Sequence, residues 1–117
     1  MQFPIERGDV FRANLQPAEG SEQDGIRPVV VVSRDAINRS SPVVVIVPFT
    51  DAINKSRIYP SHVLFKAGTA ELAVDSIAVC EQVRAISKSR LKSLLGKLSR
   101  AELTSIEAAL KITLDLL

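Results

Sequence analysis

The sequence predicts a small α+β domain in which five or six short strands curl into a tight barrel and one amphipathic helix packs against them. Three observations carry this reading. Residues 29–32 and 43–47 are unbroken β-branched runs, the pattern of strands buried on both faces. The last stretch has helical periodicity and opens with a capping signature. A chain of 117 residues, read here as one domain over 1–117, is long enough to bury a real core.

Taken in order, residues 1–8 are a lead-in with the turn-prone Arg7-Gly8-Asp9 at its end. Residues 10–15 alternate, Phe11, Ala13 and Leu15 opposing Arg12 and Asn14, as in a half-buried strand. Residues 16–26 are polar and glycine-bearing and read as a long loop, a kind of segment that often carries function. Arg27 follows, held extended by Pro28 at the mouth of the 29–32 strand. Residues 34–41 are polar and turn-like. The 43–47 strand then meets Pro48, which has no amide hydrogen for a ladder and should mark where the strand leaves the sheet, with Thr50 just beyond.

Residues 51–60 read as a connector, 62–65 as a short strand and 67–69 as a turn. Residues 76–86 read as one strand with a bulge or bend near Glu81 and Gln82, and 90–95 as a short strand or helical turn. Ser99 and Glu102 match a capping box, and Leu103, Ile106, Leu110, Leu114 and Leu117 follow at spacings of three and four.

Composition narrows the function. The single cysteine, Cys80, allows no internal disulfide framework and no thiolate metal cluster, which fits a reducing cytoplasm. No signal-like or membrane-length apolar segment is present, so a cytoplasmic protein without a membrane partner is expected. Net charge is only +2, but residues 84–100 hold six basic side chains, Arg84 among them, and no acidic one. Such a segment suits a polyanion or a solvated face. With four Phe, one Tyr and no Trp, a broad base-stacking platform is not expected.

The chemistry rests on few groups. His62 is the sole histidine and reads as structural; no glycine-rich phosphate loop, zinc spacing or carboxylate pair on a helix face occurs. No metal and no cofactor are therefore expected. If the two β-branched strands pair antiparallel, Thr50 at the end of one lies beside Arg27 at the start of the other. A guanidinium fixed there suits a phosphate or carboxylate, although it equally suits tying the loop to an acidic neighbour.

These residues resemble a known family. Gly20-Ser21-Glu22-Gln23 with Ile26-Arg27-Pro28, and Val47-Pro48-Phe49-Thr50 after an aliphatic strand, are similar to the signature of MazF/PemK toxins, the ribonucleases of type II toxin–antitoxin pairs. Asp75-Ser76-Ile77, Glu81-Gln82-Val83-Arg84, Arg90-Leu91 and Gly96-Lys97-Leu98-Ser99 follow the same pattern in order, so the resemblance spans nearly the whole chain. It implies an SH3-like fold, a homodimer, a cognate antitoxin, and metal-independent cleavage of single-stranded RNA at short sequences, with DNA met only through the antitoxin. It places the catalytic arginine and threonine at Arg27 and Thr50, with Glu22 as the alternative acid or base. Substrate contacts fall on Ser21, Glu22 and Gln23 of the loop and on Gln82, and Arg84 is assigned to RNA binding with them. The chain departs from the pattern at Asp51, where serine is frequent, and at Ser87, where aspartate is common. Two other functions are compatible with such a barrel: a non-catalytic toxin that poisons DNA gyrase, and a non-catalytic RNA-binding module.

Overall fold

The computed structural model describes residues 4–116. Among the described residues, seven strands and two α-helices follow one another as β1 (Asp9–Asn14), β2 (Ile26–Val31), α1 (Asp35–Ser40), β3 (Val43–Asp51), β4 (His62–Phe65), β5 (Ser76–Val79), β6 (Arg84–Ser87), β7 (Leu91–Lys97) and α2 (Arg100–Leu114). The strands run β4-β5-β3-β2-β1-β7 across the sheet, with β6 also on β3 and every pairing antiparallel. The curled α+β architecture is the expected one, as a curled sheet of seven strands rather than five or six.

The β-branched runs are buried on both faces for a visible reason. Val30 packs in a cluster with Val10, Val47 and Phe49, which α2 covers with Leu103, Ile106 and Ala109. Its neighbours Val29 and Val31 point the other way, into a second cluster with Phe11, Leu15, Val44 and Ile46. Two cores thus share one set of strands, and an alternating polar face on β2 would have opened one of them.

β3 is the strand around which the site is built. Its first half pairs with β2 (Val30↔Val47) and with β6 (Val44↔Ile86), and its second half pairs with β5 (Phe49↔Ala78, Thr50↔Ile77). Pro48, opposite Val29, is the last residue paired to β2. The proline marks a departure from one partner, as expected, but the strand continues to Asp51 on another.

Three other elements differ from the sequence reading. β2 begins at Ile26, so Arg27 lies inside a strand and not before it: residues 26–28 already pair with Asn14, Ala13 and Arg12. Residues 35–40 form a short helix rather than a turn, with Asn38 buried and its amide donating to Ser33 O at 2.9 Å. Residues 76–86 are two strands, not one bulged strand. A 3-10 turn, Cys80–Gln82, folds the chain at a corner so that both strands lie along β3.

The capping box is present. Ser99 Oγ accepts from Glu102 N at 3.2 Å and Glu102 Oε1 accepts from Ser99 N at 2.7 Å. Leu103 and Ile106 are buried, Leu110 is half-buried and Leu114 is exposed. Leu117, like residues 1–3 of the lead-in, lies outside the described residues.

Candidate active site

Where β3 leaves β2 at Pro48, the sheet opens into a cleft of about 390 Å³. Arg12, Arg27 and Pro28 line one side of it, Thr50 and Asp51 another, and Leu72, Val74 and Ser76 complete the wall. The two residues singled out from the sequence as a pair, Arg27 and Thr50, therefore share one cavity. Arg27 is half-buried and its Nε donates to Asp24 O at 2.5 Å, which orients the guanidinium and leaves its two terminal nitrogens without a partner among the described residues. Thr50 is buried in the wall, where its Oγ1 accepts a long hydrogen bond of 3.5 Å from Asn54 Nδ2. Its own hydroxyl hydrogen remains available to donate.

Both carboxylates at the cleft serve backbone amides. Asp24 Oδ1 accepts from Gly25 N at 2.7 Å, and Asp51 Oδ1 accepts from Ile53 N at 3.0 Å as the cap of a short 3-10 turn. Asp51, the departure from the family pattern, thus has a local structural task. The open donors of the cleft are the two guanidinium groups and the Thr50 hydroxyl, a set that suits the oxygens of a phosphate.

The middle of the loop above the cleft is held by the Gln82 side chain. Gln82, on the corner between β5 and β6, accepts from Gln23 N through Oε1 at 2.6 Å and donates to Ser21 O through Nε2 at 3.1 Å. Ser21, Gln23 and Gln82 are thereby brought together, but through the loop's main chain. Glu22 folds back on its own loop, where Oε1 accepts from Glu19 N at 2.6 Å, and it does not line the cleft. Arg84, on β6 opposite Ile46, does not line it either.

The basic segment is not one face. Arg90 Nη1 donates to the carbonyls of Asn14 and Gln16, Lys97 bridges Glu6 and Asp9 at 3.2 Å each, and Arg100 meets Glu107 at 3.5 Å. Half of its six charges hold the fold together.

His62 is structural, as expected. Nδ1 accepts from Tyr59 N at 3.1 Å, so the proton sits on Nε2, which donates to Glu81 Oε2 at 2.9 Å. Burial works against the Glu81 carboxylate. Hydrogen bonds from His62, from its own amide and from Ser61 outweigh that and hold it below the usual range. Cys80 is buried beside it, and burial, then the Glu81 charge, push the thiol up to about 12, so it is no nucleophile at neutral pH. Among the described residues, no group of three or more His, Cys, Asp or Glu side chains is placed to hold a metal ion.

The residue that sequence reading missed is Arg12. It appeared there only as the outer side of an alternating strand. The signal that locates it is the β1–β2 register, Arg12↔Pro28, which the long intervening loop hides.

The profile of PemK-like, MazF-like toxins of type II toxin–antitoxin systems matches residues 6–114. The chain belongs to that family. This MazF-like chain is 44% identical over 112 residues to an endoribonuclease MazF of Staphylococcus epidermidis, covering 96% of itself and 92% of the relative. Its fold superposes on an endoribonuclease in complex with its cognate antitoxin from a mycobacterial species with a TM-score of 0.78, at 25% identity and 98% coverage of both chains. It superposes on MazF of Deinococcus radiodurans with a TM-score of 0.82, at 24% identity, covering 97% of this chain and 99% of that one.

Proposed function

We propose that this chain is the toxin of a type II toxin–antitoxin pair, an endoribonuclease that cuts single-stranded RNA at short sequences in the cleft between Arg27 and Thr50. The observation that carries the reading is that pair itself: an oriented guanidinium with its fork unspent, and a buried hydroxyl, on two walls of one cavity. In this chemistry the 2′-oxygen bonds to the adjacent phosphorus while the bond from phosphorus to the 5′-oxygen breaks. The 2′ proton leaves, the 5′-oxygen gains one, and negative charge builds on the non-bridging oxygens. Arg27 neutralises that charge with paired donors and Thr50 adds a third. Arg27 is a poor base because its pKa is high. Glu22 serves as acid or base only after a loop movement that frees it from the Glu19 amide.

The reaction as drawn has no step that needs a divalent ion. The working form is a homodimer, supported by exposed apolar side chains such as Ile26, Leu94 and Ile112. The cognate antitoxin covers the cleft with an acidic segment; an antitoxin that bound without slowing cleavage would rule this out.

One experiment tests the core of the proposal. A pool of defined RNAs is incubated with the protein in EDTA, the cut ends are mapped, and the Arg27→Ala and Arg27→Lys variants are compared. Arg27→Ala should keep its fold, shifting stability by under about 1 kcal/mol, and lose roughly a hundredfold or more in rate. Arg27→Lys retains the charge without the fork and should also be poor. RNA left intact by the wild type, or a stable and fully active Arg27→Ala protein, would overturn the reading.

A further inference from the structure

Arg12 is the one cation of the cleft to which neither fold nor chemistry has yet given a task. It lies on β1 opposite Pro28, one register step from the Ala13↔Arg27 pair, and it lines the same cavity as Arg27 and Thr50. Its side chain is exposed and has no hydrogen-bond or ion-pair partner among the described residues. Arg34, Arg39 and Arg84 are likewise unpaired among the described residues, but none of them lines the cleft. Arg7, Arg90, Lys97 and Arg100 are all spent on carbonyls or carboxylates of the fold. Arg12 stands within one cavity with Asp24 and Asp51 yet pairs with neither; each of those carboxylates accepts from a backbone amide. Its five donors are unpaired among the described residues, on a residue that lines the cavity.

We infer that Arg12 is a positioning residue that grips the RNA phosphate next to the one being cut. The inference rests on the proposed ribonuclease activity. A single strand carries one phosphate per nucleotide, so a strand whose scissile phosphate lies at Arg27 must lay a neighbouring phosphate across the rest of the cavity. Arg12 is the remaining cation there. A phosphate rather than a base is assigned for a physical reason. An exposed, unbraced guanidinium adapts to a charged backbone, whereas discrimination between base edges needs a side chain held in one geometry. Arg12 touches no reacting atom in this arrangement and should act on binding, not on the chemical step.

The test compares wild type with Arg12→Gln and Arg12→Lys on an oligonucleotide carrying the mapped cut site. Arg12→Gln should raise KM by about five- to tenfold with kcat unchanged, and should lower the salt slope of RNA binding by about one. Arg12→Lys should recover most of the loss, since a phosphate accepts a point charge. A series of oligonucleotides, each with a single neutral methylphosphonate beside the cut, should contain one that weakens the wild type as Arg12→Gln does. That substrate should cost Arg12→Gln nothing more. A wild type that leaves RNA uncut sinks the ribonuclease reading. A wild type that cuts, with Arg12→Gln equal to it in KM and salt slope, sinks only this inference. A changed cut sequence in Arg12→Gln, with affinity retained, would make Arg12 a base reader and overturn the phosphate assignment.

Discussion

Replacing Gln82 by alanine separates two roles that one side chain can play at this cleft. The structure has its amide spent on the loop, with one bond to Gln23 N and one to Ser21 O. Each such bond contributes about 0.5–1.5 kcal/mol net, so their loss should favour an opened loop by about 1–3 kcal/mol, or roughly 5- to 150-fold in population. The two bonds are unequal. At 2.6 Å the bond from Gln23 N is the tighter, and Gln82→Glu keeps its acceptor while losing the donor to Ser21. The glutamate variant should therefore fall between wild type and alanine. The direct readout is amide hydrogen exchange at Gln23, which should quicken by that factor in Gln82→Ala, with RNA cleavage falling in step. Unchanged Gln23 exchange beside a large loss of cleavage would refute the holding role and assign Gln82 to the RNA itself.

Three further outcomes are expected. Gly96→Ala should destabilise the fold by about 1–3 kcal/mol. An added Cβ would stand 2.6 Å from the Ala70 carbonyl oxygen, in a backbone already at φ 47, and an unchanged urea midpoint would refute this. The buried Cys80 thiol favours its protonated form in the folded chain. Its contribution is thus full below the ordinary thiol pKa of 9.0 and declines as pH climbs from there toward about 12. From below pH 9.0 to above it the urea midpoint should fall in wild type and fall less in Cys80→Ala; parallel declines would refute the assignment. Sedimentation at micromolar concentration should give twice the mass of one chain, and a one-chain mass would rule out the proposed dimer.

How much was legible beforehand depended on where the information lay. The β-branched runs announced their own burial because both cores draw on them, and the capping box fixed the start of α2 from two residues. The Arg27–Thr50 juxtaposition followed from Pro28, Pro48 and one assumption, antiparallel pairing. What stayed hidden depended on contacts distant in sequence. The Cys80–Gln82 corner lies between two apolar stretches, so its polar Glu81 and Gln82 read as a bulge within one strand, and only the use of β3 by both β5 and β6 shows it to be a turn. Arg12 needed the register across a long loop. The basic run looked like a surface patch until Arg90, Lys97 and Arg100 were each found holding another part of the chain.

Gln82 grips the loop by a carbonyl and an amide, groups that every residue except proline supplies, and not by the side chains of Ser21, Glu22 or Gln23. The anchoring of the loop is therefore separable from the identity of its side chains. The three side chains can be exchanged while the loop stays anchored to the corner, and that corner joins the two strands lying along β3, which carries Thr50. If the side chains of Ser21 and Gln23 meet the RNA as proposed, substitutions there should alter recognition and leave the anchored loop and the Arg27–Thr50 cleft in place. A library randomised at those three positions, with Gln82 kept, is the natural place to look for altered recognition in a protein that still folds.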